Sequence, residues 1–238
     1  MRYWLVMPAA GASRRFGQGV PKPYAPLRGR TVIEWALAPF AGDSRCIGIV
    51  VALAASDSHW SRISQRFSSV IVAPGGAERC ESVRSALSVL SRRASPQDWV
   101  LVHDAARPCL ADEDRDRLIQ QAGAHPVGGL LAVPMADTLK RAAEDGTVEQ
   151  TVDRNSLWRA LTPQMFRYAR LCEALDSALA SRRLPTDEAQ AIEWLGDRPL
   201  LVPGSATNIK ITSADDLTLA EAILHARAGD APASGAPK

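Results

Sequence analysis

The sequence contains no apolar run near the ~20 residues that a membrane-spanning helix needs, so no membrane association is expected. Its four cysteines, at 46, 80, 109 and 172, form no CxxC pair and no cluster with histidine, which argues against a zinc site or a disulfide framework. Neither GxGxxG nor GK[ST] occurs, which removes the dinucleotide fingerprint and the P-loop. Neither sign of charge dominates: 28 cations and 26 anions are mixed along the chain for a net charge of +2, without the basic, aromatic-interleaved stripe of a nucleic-acid binder. A secretory signal is also not expected. Arg2, a short apolar run and Ala9-Ala10-Gly11-Ala12 imitate one, but the run is too short and is broken by Pro8. A cytoplasmic protein with reduced thiols follows.

Lysine is scarce as well, with four (22, 140, 210 and 238) against twenty-four arginines. What the chain does have is alternation. Short apolar runs at 3–7, 47–53, 70–73, 99–103, 129–133 and 200–203 are separated by helix-period segments, the pattern of an α/β fold with a parallel sheet flanked by helices. Val32, Ala36 and Phe40 mark one helix, and Val83, Ala86, Leu87 and Leu90 a second. Leu171, Ala174, Leu175, Ala178 and Leu179 mark a third. A final helix is predicted to open at Ser213, with Asp216 closing a capping box.

One stretch departs from the alternation. Asp137 to Arg154 reads as two polar β-leaning segments around Glu144-Asp145-Gly146, a hairpin turn. An isolated two-stranded ribbon is marginal in water, so this arm, at about 136–155, is expected to pack against a second copy of the chain. No linker divides the rest. Residues 1–226 are expected to form one domain, and 227–238, rich in Ala, Pro, Gly and Ser, a disordered tail.

Ligands of open parallel sheets bind beyond the carboxyl ends of the strands, so the loops there carry the functional reading. The first, "PAAGASRRFGQGVPKPYAPLRGR" at 8–30, combines glycines with Arg14, Arg15, Lys22, Arg28 and Arg30 and has no carboxylate. Exposed backbone N–H groups beside cations suit a polyphosphate, although a solvated basic loop has the same composition. Pro21 and Pro23 fix the backbone on both sides of Lys22. In "LVHDAARPCL", Asp104 follows a strand, where it could hold Mg²⁺ together with substrate phosphates, or cap a turn, or pair with Arg107. His103 suits a structural hydrogen bond. In "PGGAERCESV", Gly75-Gly76 allows close backbone approach and Ser82 begins a helix. Arg154 and Lys210 stand as cations near threonines in "TVDRNSLWRALTPQ" and "ATNIKIT".

Taken in order, "PAAGASRRFG", "PKPY", "GGAERCESV", "VHDAARP", "DTLKR", "TVDRNSLWRALTPQ", "TDEA" and "NIKIT" resemble the 2-C-methyl-D-erythritol 4-phosphate cytidylyltransferase family. The resemblance spans residues 8–212. It implies a Rossmann-like nucleotidyltransferase fold, similar to glycosyltransferase-A folds, that joins CTP to the polyol phosphate, releases pyrophosphate and requires Mg²⁺. It implies that Arg15 and Lys22 stabilise the transition state and leaving group, and that Arg154 and Lys210 hold the acceptor phosphate. By the same resemblance Asp104 serves metal and substrate. Arg107, Thr138, Thr162 and Thr186 complete the acceptor site, and Ala10, Gly11, Gly76 and Ser82 belong to the CTP pocket. It further implies a homodimer in which the arm carries Thr138 and Arg154 to the neighbouring site. Pro23 and Ala77 depart from the family's common glutamine and acidic residue at those places.

Three other readings compete. A ribitol 5-phosphate cytidylyltransferase would share the fold and the basic loop. A nucleotide sensor would bind CTP without turnover, yet it would not need clamps for both leaving group and acceptor. An NAD-dependent oxidoreductase lacks its fingerprint here.

Overall fold

The structure, a computed structural model, describes residues 1–11 and 20–229. Among these residues, eleven strands and six α-helices follow in chain order. They are β1 (Tyr3–Pro8), β2 (Pro26–Leu27), β3 (Arg30–Thr31), α1 (Val32–Ala41), β4 (Cys46–Leu53), β5 (Val70–Pro74), α2 (Arg79–Val89), β6 (Trp99–Val102) and α3 (Asp112–Ala124), then β7 (Gly128–Pro134), β8 (Leu139–Ala142), β9 (Val148–Val152), β10 (Trp158–Arg167), α4 (Tyr168–Ala180), α5 (Glu188–Glu193), β11 (Leu200–Pro203) and α6 (Ala214–Gly229). Seven strands form the main sheet in the order β11-β7-β10-β6-β1-β4-β5. All pairings are parallel except those of β10, which runs antiparallel to β6 and β7.

β1 shows why the sheet is central. Tyr3, Leu5 and Met7 point into one apolar layer with Ile33, Leu37 and Phe40 of α1 and Leu118 and Ile119 of α3. Trp4 and Val6 point into the other, with Val83 and Leu87 of α2, Leu171 and Leu175 of α4 and Ile192 of α5. A strand buried on both faces reads as a continuous apolar run rather than an alternating one, and each fully buried leucine such as Leu5 contributes about 2 kcal/mol. α6 covers the β2–β3 hairpin through a smaller cluster that includes Leu27, Val32, Ile211, Ala220 and Leu224.

The six strands read from the sequence are present, with ends shifted by a residue at most places. Within the main sheet, β10 is the strand that the alternation does not reveal. Pro163 interrupts it, and proline inside a sheet is confined to edges and bulges. Here it falls between Ala160 and Gln164, where the register against β7 shifts. α3 is hidden by its charge, with Asp112, Glu113 and Asp114 in its first turn. α5 is only six residues long, and its cap, Asp187, accepts the Gln190 N–H.

The predicted final helix opens as expected, with Ser213 N–H and Thr212 N–H both donating to Asp216. It runs to Gly229, so residues 227–229, expected in the tail, are helical. Arg227 explains part of this: its guanidinium donates to the Cys109 carbonyl at 2.9 Å and to Thr207 Oγ1 at 2.8 Å. The arm forms as a separate two-stranded sheet, pairing Leu139 with Val152 and Lys140 with Thr151. At its tip Asp145 Oδ1 accepts the Thr147 N–H, and Gly146 has φ of +83°, a conformation that favours glycine. Among the described residues no helix is long and apolar enough to cross a membrane.

Candidate active site

The strand order reverses direction at β1: the chain goes outward through β4 and β5, then returns to β6 on the other side. Such a switch point opens a crevice at the carboxyl ends. The cavity found there is lined by the loop after β1 (Pro8, Ala9, Ala10, Gly11), by Lys22 and Pro23, and by Gly76, Ala77, Glu78, Arg79 and Ser82 after β5. Asp104, Ala105 and Ala106 after β6, and Lys210 after β11, complete it. Seven residues singled out in the sequence thus meet in one place: Ala10, Gly11, Lys22, Gly76, Ser82, Asp104 and Lys210.

Each wall has a local reason. Lys22 opens a short 3₁₀ turn, Lys22–Tyr24, with Pro21 before it and Pro23 inside it. The turn is pinned from below, because the Tyr24 hydroxyl donates to Asp57 at 2.6 Å and its ring stacks on His59 at 5.0 Å. Burial, then the bond to Asp57, pushes the Tyr24 phenol well above its usual range, so it stays a donor. Arg28 and Arg30 lie on the exposed surface beyond. Gly75 must be glycine, since a Cβ there would come within 2.1 Å of the Ala10 Cβ. Gly76 N–H donates to Ser82 Oγ at 3.0 Å, and that hydroxyl donates to the Glu78 carbonyl at 3.2 Å. Ser82 therefore shapes the glycine loop at the start of α2.

The charged centre is Asp104, 7% exposed. Its Oδ1 accepts from Arg79 Nε at 2.9 Å, its Oδ2 lies 3.0 Å from Lys210 Nζ, and Arg107 Nε stands 3.6 Å away. Burial opposes ionisation, but the Arg79, Lys210 and Arg107 charges prevail and hold the carboxyl well below its usual range. Asp104 is thus an anion; of the structural readings given to it, the pairing with Arg107 is present at 3.6 Å, and its carbonyl closes a turn by accepting the Arg107 N–H at 3.0 Å, while the residue also lines the cavity. Arg107 is itself buried. Its Nη1 donates to the Asn208 carbonyl at 2.8 Å, while its Nε has no hydrogen-bond acceptor among the described residues.

Beneath Asp104, His103 has the structural role expected of it. Its Nε2 lies 3.1 Å from the Arg107 carbonyl, which can only accept, so Nε2 carries the proton. Nδ1 then accepts from the Thr162 hydroxyl at 3.0 Å, and Thr162 Oγ1 accepts the Asp104 N–H at 3.1 Å. Burial lowers the His103 pKa to about 4, which keeps this tautomer neutral at ordinary pH. Thr162 is 4% exposed. Its hydroxyl is committed to holding Asp104, rather than open to the cavity.

The remaining candidates lie apart from the cavity lining. Thr186 is exposed, just before α5, with its N–H donating to Gln190 Oε1 at 2.8 Å. Thr138 and Arg154 are exposed on the arm, where Arg154 donates to the Ala136 carbonyl. Arg14 and Arg15 lie outside the described residues.

No group of three or more His, Cys, Asp or Glu side chains that could hold a metal occurs among the described residues. Asp104 is one carboxylate at the cavity wall, and Mg²⁺ commonly binds through one or two carboxylates with substrate phosphates supplying further ligands. The residues present fit Mg²⁺ in that shared form and do not make an all-protein cage.

Two site residues went unread in the sequence. Arg79 donates through Nη1 and Nη2 to Glu188 at 2.6 and 3.0 Å, in addition to its bond to Asp104, and Glu188 is fully buried. Glu188 shares a helix face with Ala191 and Ile192 at i+3 and i+4, and a glutamate on an apolar face is the signal that could have located it.

Comparison with known proteins agrees with this geometry. The family model described as 2-C-methyl-D-erythritol 4-phosphate cytidylyltransferase matches residues 3–226. A relative of that name from Halorhodospira halophila is 52% identical over 231 residues, covering 95% of both chains. Another from Ectopseudomonas mendocina is 50% identical over 218 residues, covering 91% of this chain and 93% of its own. A solved 4-diphosphocytidyl-2C-methyl-D-erythritol synthase superposes with a TM-score of 0.83 at 40% identity, covering 94% of this chain and all of that one. The chain belongs to the 2-C-methyl-D-erythritol 4-phosphate cytidylyltransferase family.

Proposed function

We infer that this protein transfers CMP from CTP to 2-C-methyl-D-erythritol 4-phosphate, giving 4-diphosphocytidyl-2-C-methyl-D-erythritol and pyrophosphate, in the non-mevalonate route to isoprenoids. The observation that carries this reading is the meeting of a glycine loop, Lys22 and the Asp104–Lys210 pair in one cavity at the sheet's switch point. In the reaction, an oxygen of the acceptor phosphate forms a bond to the α-phosphorus of CTP while the bond to the β-phosphate oxygen breaks. Pyrophosphate takes the electron pair. No covalent enzyme intermediate is needed, so the protein acts by positioning and by offsetting charge.

Within this scheme the turn fixed by Pro21, Pro23 and Tyr24 aims Lys22 at the phosphates, and Arg15 assists it. Ala10, Gly11, Gly76 and Ser82 shape the nucleotide side. Lys210, with Arg107 and Thr186, receives the acceptor phosphate: an ammonium has three donors and Asp104 takes one of Lys210's. Thr162 serves by fixing Asp104. Mg²⁺ bound by Asp104 and the triphosphate would neutralise phosphate charge. The arm is proposed to pair with a second copy, bringing Thr138 and Arg154 to the partner's cavity. Its support is that the ribbon packs as its own sheet and leaves Val148 63% exposed. A cytoplasmic location fits the four free cysteines.

Pyrophosphate release across four nucleoside triphosphates and several polyol phosphates tests the reading. CTP with methylerythritol phosphate and Mg²⁺ should give the highest kcat/KM, and EDTA should stop release. A higher kcat/KM with ribitol 5-phosphate would change the acceptor, and no release with any pair would leave a nucleotide-binding protein.

A further inference from the structure

Asp104 already faces two cations, Lys210 and Arg107, that would offset its charge. The third, Arg79, is engaged differently. Its fork is held by Glu188 at 2.6 and 3.0 Å, and only Nε, at 2.9 Å, reaches Asp104. A buried ion pair adds little net stability, and Glu188 is buried. The pair thus calls for a role other than stability.

The anchoring around Glu188 is rigid. Asp187 caps α5, and its Oδ2 accepts from Gln164 Nε2 at 2.9 Å, while Gln164 Oε1 accepts the Ala189 N–H at 2.8 Å. Gln164 belongs to β10, which pairs with β6, the strand leading into Asp104. α5 is therefore bolted to the same strands that set the position of Asp104. Glu188 fixes the guanidinium plane, and a planar fork so held can place one N–H with little remaining freedom.

We propose that Arg79 is a positioning residue: clamped by Glu188, it fixes the rotamer of Asp104 and through it the place of the Lys210 ammonium. This deepens the assignment of Asp104 and Lys210 to the acceptor side and rests on it. Arg79 is 25% exposed and its neighbour Glu188 is 1% exposed, so the cavity meets one side of the arginine while the interior holds the other. A further consequence is continuity along the chain. Thr186 lies two residues before Glu188, so an acceptor that touches Thr186 would sense the same clamp that holds Lys210.

The test is side-chain ¹⁵N NMR of lysine-labelled protein, where only four lysines contribute and Lys210→Arg identifies one signal by its loss. Glu188→Gln and the double variant Arg79→Gln/Glu188→Gln are compared with wild type. The double variant leaves no unpaired buried charge, so it should fold if the single one does not. In both, the Lys210 signal should move by more than its linewidth while Lys140 stays in place. KM for the acceptor should rise at least fivefold and KM for CTP should stay within twofold. An unmoved Lys210 signal in the folded double variant would overturn the proposal, as would a KM change confined to CTP, which would make Arg79 a nucleotide contact. The NMR readout needs no turnover. If the signal moves but no CMP transfer occurs, the reaction assignment fails and the positioning stands.

Discussion

Two regions of this chain carry candidate site residues, and they differ in how much of their surroundings they bring with them. The cluster at the carboxyl ends of β6 and β11 is closed. Asp104, Arg79, Lys210, Arg107 and Glu188 find their partners within one chain, at 2.6 to 3.6 Å. The arm is open: Thr138 and Arg154 are exposed on a ribbon that forms its own sheet. Side chains held by burial and by opposing charges are preorganised, whereas an isolated two-stranded ribbon is marginal in water until something covers it. In this account the closed cluster sets the chemistry, and the arm completes the acceptor pocket.

The sharpest way to break the comparison is to remove a cation from the cavity that the closed cluster lines, and then one from the arm. Lys22→Ala should lower kcat by about 10²-fold, as expected for loss of a transition-state charge partner, and Arg15→Ala should do the same. A rise in KM at unchanged kcat would make either one a ground-state contact. Arg154→Ala on the arm should act mainly through KM for the acceptor, by about 10-fold, in steady-state assays. An equal fall in kcat would move the arm into the chemical step.

Acid stability distinguishes the regions next. His103 is neutral in the fold, with its pKa lowered to about 4 by burial, against an ordinary value of about 6.5 in the unfolded chain. Between these values the unfolded state binds the proton and the folded state does not, so stability falls as pH drops through this window, by about 3 kcal/mol in full. Thermal melts should show that loss from pH 6.5 to 4, and His103→Gln should flatten it. A smaller effect is expected at the arm tip. Gly146→Ala, at φ of +83° with open space around it, should cost about 1 kcal/mol or less in the stability of the ribbon. The melting temperature of the main sheet should hardly move.

The legibility of these regions in the sequence follows the same division. Strands buried on both faces announce themselves as apolar runs, as β1 and β6 do. The arm is legible because an Asp-Gly turn between polar segments has few other meanings. β10 is concealed because Pro163 sits at a bulge, and α3 because its first turn is acidic. In the site, loop position and residue type single out Lys22 and Asp104, whereas Lys210 is a weak signal until the family resemblance is added. Position and type do not suffice for Arg79 and Glu188, since a pair separated by 109 positions meets only through the packing of α2 on α4 and of α4 on α5. Thr162 is read as a residue of the acceptor site, and its hydroxyl instead joins Asp104 to His103, a distinction that depends on burial.

The measurement that bears most directly on the split between closed cluster and open arm is subunit mixing. Lys22→Ala and Arg154→Ala proteins, each of low activity, are combined at subsaturating acceptor under conditions that exchange subunits. If the arm serves the partner's cavity, half of the dimers are mixed and each has one intact site, so activity should recover to about a quarter of wild type. If activity stays at the average of the two parent proteins although mixed dimers have formed, the arm does not complete its partner's site and the account is wrong.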